Sequence, residues 1–223
     1  MTEGAKVAVA VTLIAFALAV VQVRRGVPAG PTGAGSAPAL PSPAVQQAGF
    51  TFTPGTSGPE QQLFTATVAA ARPQARRLIA MVDGAVDVAF RDPGPAAAGS
   101  TRFDGERYLV SVDVADVAQR LGQRGVSRVV LHELGHVVDF ALVPKSLDEQ
   151  LDREIPAGYP CPAGEPTGSC TASEERFAES FAKWATGDIG VDVYVGYRVP
   201  PPNGSLDTWG APLARLGDTL SRP

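Results

Sequence analysis

Apolar residues recur at helical spacing in three parts of the chain. In residues 60–84, apolar positions at helical spacing predict two helices or one kinked helix, and Pro73 is placed to begin a second helix. In residues 126–142, apolar positions nearly encircle the predicted helix, a pattern typical of a helix that is buried on all sides. A third helix is predicted over residues 171–187, where aromatic residues form one face and Gly187 is placed to end it.

Two short runs of β-branched and aromatic residues alternate with polar ones and predict strands. They are AVDVAF at residues 85–90 and ERYLVSVDV at residues 106–114, separated by a loop rich in Gly and Pro at residues 92–100. This order of helices and strands predicts an α+β domain with a small sheet. The Pro-rich tail after Val199 gives no clear prediction.

The N-terminal part of the chain does not have the pattern of a folded domain. Residues 7–23 carry no charge and, as a helix, would span roughly 25 Å, close to the width of a bilayer core. We expect residues 1–25 to form an uncleaved transmembrane signal anchor, or alternatively a signal peptide. Residues 26–59 are rich in Pro, Gly and Ala and predict a disordered linker, so the folded domain is expected over residues 60–223.

Charge and cysteine content bear on the partners and on the compartment. The chain carries 23 acidic and 19 basic residues, which gives no electrostatic reason to expect a nucleic acid as partner. Cys161 and Cys170 lie in a short loop and favour a disulfide in an oxidising compartment, with two free thiols as the alternative. We therefore expect a single-pass protein of the cell membrane with an extracytoplasmic domain, or a secreted one. Arg24 and Arg25 after the anchor favour the opposite orientation.

Both histidines of the chain, His132 and His136, lie in the sequence HELGH on the predicted central helix. Residues four apart share one face of a helix, so both imidazoles can bind one ion, and Glu133 lies beside them where it can accept a proton from water. Two histidines and a glutamate on a buried helix would be costly unless a metal and hydrogen bonds satisfied them. The motif therefore predicts a zinc site, and two hydrogen-bonded core histidines are the alternative interpretation.

A catalytic zinc usually has three protein ligands and a water, so a further ligand is expected. The extended motif with a third histidine requires Gly and His where this chain has Asp139 and Leu142, so a carboxylate remains. Glu174, Glu175 and Glu179 lie on the third predicted helix. Helical spacing places Glu175 and Glu179 on one strip with small alanines, which would let one bind the metal and the other orient an imidazole. A solvated acidic first turn is the alternative.

The sequence HELGHVVD, followed by EERFAESFAKW, resembles the gluzincin group of zinc metallopeptidases, and within it the catalytic domain of anthrax lethal factor and its bacterial relatives. The resemblance covers residues 128–184. It implies a zincin-like fold with a central active-site helix and a small mixed sheet. It also implies Zn²⁺ held by His132, His136 and Glu175, with Glu133 as the general base.

Further residues are expected to support the metal ligands. The resemblance implies Glu179 behind a ligating imidazole, and Asp139, which ends the sequence HELGHVVD, is expected in a similar role. Members of the group also use a histidine or a tyrosine to stabilise the oxyanion, and that residue has no counterpart at the same spacing here. Tyr159, Tyr194 and Tyr197 are the candidates for it.

These features together predict a zinc-dependent endopeptidase that hydrolyses bonds in a peptide or protein substrate. Glu133 would take a proton from the attacking water and later return it to the leaving amine. We expect the substrate to add as an extended strand along ERYLVSVDV, which directly precedes the central helix. The alternative is a catalytically degenerate zinc-binding domain that acts as a membrane-tethered recognition module.

Overall fold

A computed structural model describes residues 49–91, 98–156, 172–190, 193 and 199–222 of the chain. In chain order these residues form β1 (Thr51–Phe52), α1 (Gly58–Ala70), α2 (Pro73–Ala80), β2 (Val86–Phe90), β3 (Gly99–Phe103), β4 (Tyr108–Val112), α3 (Val114–Leu142), α4 (Lys145–Arg153), α5 (Ser173–Thr186) and α6 (Leu206–Leu220). Helices and a small mixed sheet occur together, which confirms the predicted α+β class.

The four strands form one sheet in the order β1-β2-β4-β3. β1 pairs parallel with β2 and β2 pairs parallel with β4, whereas β3 pairs antiparallel with β4. Val86, Val88, Val110 and Val112 are fully buried on the same face of the sheet. Because α3 contacts β3 and β4, the sheet covers one side of the central helix.

The prediction that ERYLVSVDV is an exposed edge strand is wrong. The residues of this segment that form a strand, Tyr108–Val112, are paired on both sides, with β2 and with β3. The edge position belongs to β3, which begins at Gly99 and so overlaps the segment predicted as a loop. The sequence GSTRF has no apolar alternation, and pairing with β4 rather than its own composition makes it a strand.

The folded part of the chain begins before the predicted boundary at residue 60. Thr51–Phe52 pairs with β2. Phe50 and Phe52 make edge-to-face contacts with Phe64 of α1, with ring centroids 4.9 and 5.9 Å apart. Phe64 is fully buried. Aromatic contacts therefore draw the end of the Pro- and Gly-rich segment into the domain.

The central helix α3 is longer than predicted. It spans Val114–Leu142 and is interrupted at Gly122, whose φ of 62° lies in the left-handed region that favours glycine. The side chain of Asp113 caps it by accepting a hydrogen bond from the backbone N–H of Asp116. Every residue from 128 to 139 is buried, which confirms the burial expected for the HELGH sequence.

Two of the three helices that follow α3 in the chain, α5 and α6, pack against each other. α5 ends at Gly187, whose φ of 69° gives the left-handed C-cap that the sequence predicts. α6 occupies the tail for which the sequence makes no prediction. Its Trp209 is buried, with a ring centroid 5.9 Å from that of Phe177 on α5.

α3 and α5 pack closely at Gly135, the glycine of the HELGH sequence. A Cβ on Gly135 would lie 3.0 Å from Cα and 3.2 Å from the carbonyl oxygen of Ala178. Ala178 and Ala182 on α5 are both fully buried. Small residues on both helices therefore let the two backbones approach, which brings the carboxylates of α5 within reach of the histidines.

Several predicted features lie outside the described residues. They are the anchor at residues 1–25, most of the linker at residues 26–59 and the disulfide between Cys161 and Cys170. In the part of the chain that the structure describes, no helix combines the length and the hydrophobicity needed to cross a bilayer.

Replacing Gly135 with Ala should destabilise the domain relative to the matched variant Gly217→Ala. Both variants gain the helix propensity of alanine, about 1 kcal/mol. A Cβ at position 217 meets only the side chain of Leu78, at an ordinary contact distance of 3.4 Å. At position 135 a Cβ would instead push against the backbone of Ala178 at 3.0 Å. We expect the free energy of unfolding of Gly135→Ala to be about 1–3 kcal/mol lower than that of Gly217→Ala.

Urea unfolding of both variants in chelator measures this difference without a contribution from metal. Equal stability of the two variants would show that the contact between α3 and α5 can relax at no cost.

Candidate metal centre

His132, His136 and Glu175 converge on one point between α3 and α5. Nε2 of His132 lies 3.2 Å from Nε2 of His136 and 3.1 Å from Oε2 of Glu175. Nε2 of His136 lies 3.5 Å from the same oxygen. All three side chains are buried and could together hold a metal ion. The structure thus brings together the three residues that were predicted as ligands.

The separations of these three atoms fit a tetrahedral ion. Zinc bonds to imidazole nitrogen and carboxylate oxygen are about 2.0–2.1 Å long, which places tetrahedral ligand atoms roughly 3.3–3.4 Å apart. The observed 3.1, 3.2 and 3.5 Å differ from this by a few tenths of an ångström. Two imidazoles and one carboxylate suit zinc and related transition ions better than Mg²⁺ or Ca²⁺, which prefer oxygen ligands. The donor set is therefore compatible with zinc.

Glu179 lies behind His132, on the side away from the three ligand atoms. Its Oε2 is 3.3 Å from Nδ1 of His132. A carboxylate at this position accepts a hydrogen bond from Nδ1–H and so favours the tautomer with its lone pair on Nε2. A metal binds that tautomer through Nε2. Glu179 therefore lies at the position that the sequence predicts for it.

Two buried cations hold the carboxylate of Glu179. Nη1 of Arg128 donates to Oε1 of Glu179 at 3.0 Å, and Nζ of Lys183 lies 3.5 Å from the same oxygen. Both cations are almost fully buried and also bind main-chain carbonyls. Arg128 donates to the carbonyl of Asp188 at 2.8 Å, and Lys183 donates to the carbonyl of Val199. Burial lowers the pKa of Lys183, against the opposing effect of Glu179.

The edge strand β3 holds the carboxylate of Glu133. The hydroxyl of Thr101 lies 2.7 Å from Oε2 of Glu133 and donates to it, and the same hydroxyl is 3.0 Å from the main-chain oxygen of Glu133. A Cβ on Gly99 would lie 2.4 Å from Oε1, so glycine is needed to leave room for the carboxylate. Burial raises the pKa of Glu133 and outweighs the nearby histidines and Thr101, which lower it.

The charged groups of the cluster shift one another's pKa. Burial disfavours the charged form of His132, but hydrogen bonds with Glu175 and Glu179 outweigh that effect and raise its pKa to about 10. Burial would also raise the pKa of Glu175, but His132 and His136 hold that pKa well below its usual range. In the protein without metal, His132 therefore carries a proton between two carboxylates at neutral pH.

The expected role of Asp139 as a supporting residue stays a prediction. Asp139 is buried on α3, and it lies near Tyr108 of β4. Burial and the charge of Asp139 together raise the pKa of Tyr108. Nδ1 of His136 is buried and forms no hydrogen bond with any described residue. The three tyrosines proposed for the oxyanion, at positions 159, 194 and 197, lie outside the described residues.

Four site residues have no place in the predictions from sequence: Gly99, Thr101, Arg128 and Lys183. The two cations could have been predicted from the sequence, because Arg128 lies four residues before His132 and Lys183 lies four residues after Glu179. Each cation thus continues the helical face of a predicted site residue within an otherwise apolar stretch. Gly99 and Thr101 could not have been predicted from the sequence, since only the pairing of β3 with β4 brings them to Glu133.

Comparison with known proteins places the chain in no family. No protein-family model matches it, and neither a curated protein nor a solved structure matches it. The likeness to the gluzincin group therefore rests on the two motifs.

Replacing Glu175 with Gln should weaken zinc binding far more than replacing its neighbour Glu174. Glu175 supplies one of the three converging atoms, whereas Glu174 contacts Ser173 at the start of α5. Loss of a residue behind a ligand costs roughly 10–100-fold in metal affinity, and loss of a ligand should exceed that. Competition with a chromophoric chelator measures both affinities. If Glu174→Gln loses more affinity, the ligand is misassigned by one residue.

Zinc binding should release about one proton from His132 at neutral pH. The pKa of His132 without metal is about 10, so the imidazole is protonated below that pH and must lose its proton to bind zinc. The apparent affinity should therefore rise about tenfold per pH unit between roughly pH 6 and pH 8. Calorimetry in two buffers of different ionisation enthalpy counts the protons. The Glu179→Gln variant should release fewer protons when it binds zinc. A zinc affinity that does not depend on pH would contradict the predicted charge state of His132.

Proposed function

We propose that the chain is a zinc-dependent endopeptidase with a zincin-like fold. The observation that carries this proposal is the convergence of His132, His136 and Glu175, with the buried carboxylate of Glu133 beside them. Structural zinc sites usually have four protein ligands, whereas catalytic sites have three and leave one position for water or substrate. Three candidate ligands among the described residues favour a catalytic site.

Glu133 is the proposed general base. Bound zinc would lower the pKa of a water molecule and polarise the carbonyl of the substrate. The raised pKa of the buried Glu133 suits it to accept a proton from the attacking water. The water oxygen bonds to the carbonyl carbon, the C–N bond breaks, and Glu133 passes the proton to the leaving amine. Thr101 keeps the carboxylate in place by its hydrogen bond.

The proposed substrate is a peptide or protein segment in an extended conformation. In the part of the chain that the structure describes, β3 is an edge strand and pairs only with β4. Gly99 and Thr101 of β3 adjoin Glu133. A peptide that adds to the free edge of β3 would therefore run beside the general base. The proposed binding edge is one strand away from the strand expected from the sequence.

The location of the enzyme remains part of the proposal. An N-terminal anchor at residues 1–25, followed by a linker, would tether the domain at the outer face of the cell membrane. Cleavage of the same segment as a signal peptide would instead release a secreted enzyme.

Replacing Glu133 with Gln should abolish hydrolysis and leave zinc bound. The amide keeps the size of the side chain and can still contact Thr101, but it cannot accept the proton, and general-base catalysis is worth roughly 10²–10⁴-fold in rate. Mass spectrometry of a peptide library incubated with the zinc-loaded chain measures cleavage, and elemental analysis measures zinc. The control is Glu149→Gln, on the exposed side of α4.

Full activity in Glu133→Gln would contradict the proposed mechanism. Stoichiometric zinc in the wild-type chain with no cleavage of any peptide would instead favour the tethered recognition module.

A further inference from the structure

Two exposed aromatic side chains lie beside the proposed catalytic site. Among the described residues, four large apolar side chains are exposed: Phe103, Phe140, Ile189 and Leu220. Phe103 is 56% exposed and ends the edge strand β3, and Phe140 is 37% exposed and lies on α3 just beyond the HELGH sequence. Exposed apolar side chains that border a proposed active site are candidates for a surface that binds the substrate.

Phe140 lies on the same side of α3 as the general base. It follows Glu133 by seven residues, which on a helix is two turns with a rotation of only about 20°. Its ring stacks on the imidazole of His136, with centroids 5.8 Å apart and an angle of 21° between the planes. A partly exposed aromatic ring therefore borders a predicted metal ligand directly.

Phe103 lies at the same end of the site. It follows Thr101 by two residues on β3, so strand alternation directs both side chains to the face that α3 covers. Phe103 is paired with Tyr108 of β4, and the two ring centroids are 4.8 Å apart. Tyr108 in turn lies near Asp139, the residue before Phe140. Phe103 and Phe140, which we call the aromatic pair, thus both lie beyond Glu133 in the direction of the C-terminal end of α3.

The direction of β3 determines which part of a bound peptide meets the aromatic pair. From Gly99 to Phe103 the strand runs away from Glu133. A peptide added antiparallel runs the opposite way, so its residue opposite Phe103 lies about two positions before the residue opposite Thr101. Antiparallel pairing is the commoner arrangement and slightly the more stable. The side chain at the aromatic pair therefore belongs to the part of the peptide before the cleaved bond.

We infer that Phe103 and Phe140 bind an apolar side chain of the substrate, one to three residues to the N-terminal side of the cleaved bond. This inference rests on the proposed function, because it takes the peptide to lie on β3 beside Glu133. Aromatic rings with no described cationic group at their faces favour an aliphatic or aromatic side chain over an acidic one. The aromatic pair thus sets the specificity of the enzyme, and the metal ligands and Glu133 supply its chemistry.

The test compares pairs of peptides that differ only by Phe or Ala at one position, placed one, two or three residues before the cleaved bond. The first readout is binding to the zinc-loaded, full-length Glu133→Gln chain, measured by fluorescence anisotropy. The second is cleavage by the full-length wild-type chain, with every cleaved bond identified by mass spectrometry. Phe103→Ala should reduce the preference for the Phe peptide by roughly 10-fold or more in both readouts, as expected for loss of a buried apolar contact. Leu220→Ala, which removes an exposed side chain on α6, should not change it.

The outcomes separate this inference from the proposed function. A preference that depends on Phe103 in the binding readout, without cleavage by the wild-type chain, would support the aromatic pair and refute the endopeptidase. Cleavage with no preference, or with a preference that Phe103→Ala leaves intact, would refute the aromatic pair and leave the endopeptidase standing. A Phe103-dependent preference on the C-terminal side of the cleaved bond would overturn the inferred direction of the peptide. Loss of zinc from the Phe140→Ala variant would show that this ring supports the metal site, which would overturn its part in the aromatic pair.

Discussion

The close packing of α3 against α5 is the contact on which the rest of the site depends. At its nearest point, Gly135 faces Ala178 without room for another carbon atom. Each helix presents a column of residues four apart, Arg128, His132 and His136 on α3 and Glu175, Glu179 and Lys183 on α5. The contacts Arg128–Glu179 and His136–Glu175 show that the columns run in opposite directions. Because each column occupies one helical face, a single close helix pair assembles both the candidate ligands and the groups behind them.

Burial of so many charges is tolerable only because they are matched. Glu179 has Arg128, Lys183 and His132 as partners within 3.5 Å, so its carboxylate has lost water but gained donors. Removing one partner from such a cluster typically costs about 3–5 kcal/mol, although the intact cluster contributes little net stability compared with apolar residues. The cluster therefore specifies the geometry of the site, and the apolar core around Phe64, Leu78 and Val88 supplies stability.

The proposed general base depends on a different part of the fold from the candidate metal ligands. Glu133 projects from the same helix as the histidines, but its carboxylate is fixed by Thr101 and by the space at Gly99 on β3. The candidate ligands depend on the packing of two helices, and the proposed base depends on the packing of a helix against a sheet edge. The same edge is where the proposed substrate would bind, so β3 links the position of the base to the position of the peptide.

The sequence by itself determined the features that follow from local spacing. The i, i+4 histidines, the glutamate between them, the paired glutamates of α5 and its glycine cap all depend on helical periodicity, which residues encode within one or two turns. Only the tertiary structure decided that GSTRF is an edge strand, that Phe50 and Phe52 pack against the core, and that buried cations balance Glu179. Those features depend on pairing between segments far apart in the chain. A short segment becomes a strand, or a buried charge becomes tolerable, through its neighbours in space rather than its neighbours in sequence.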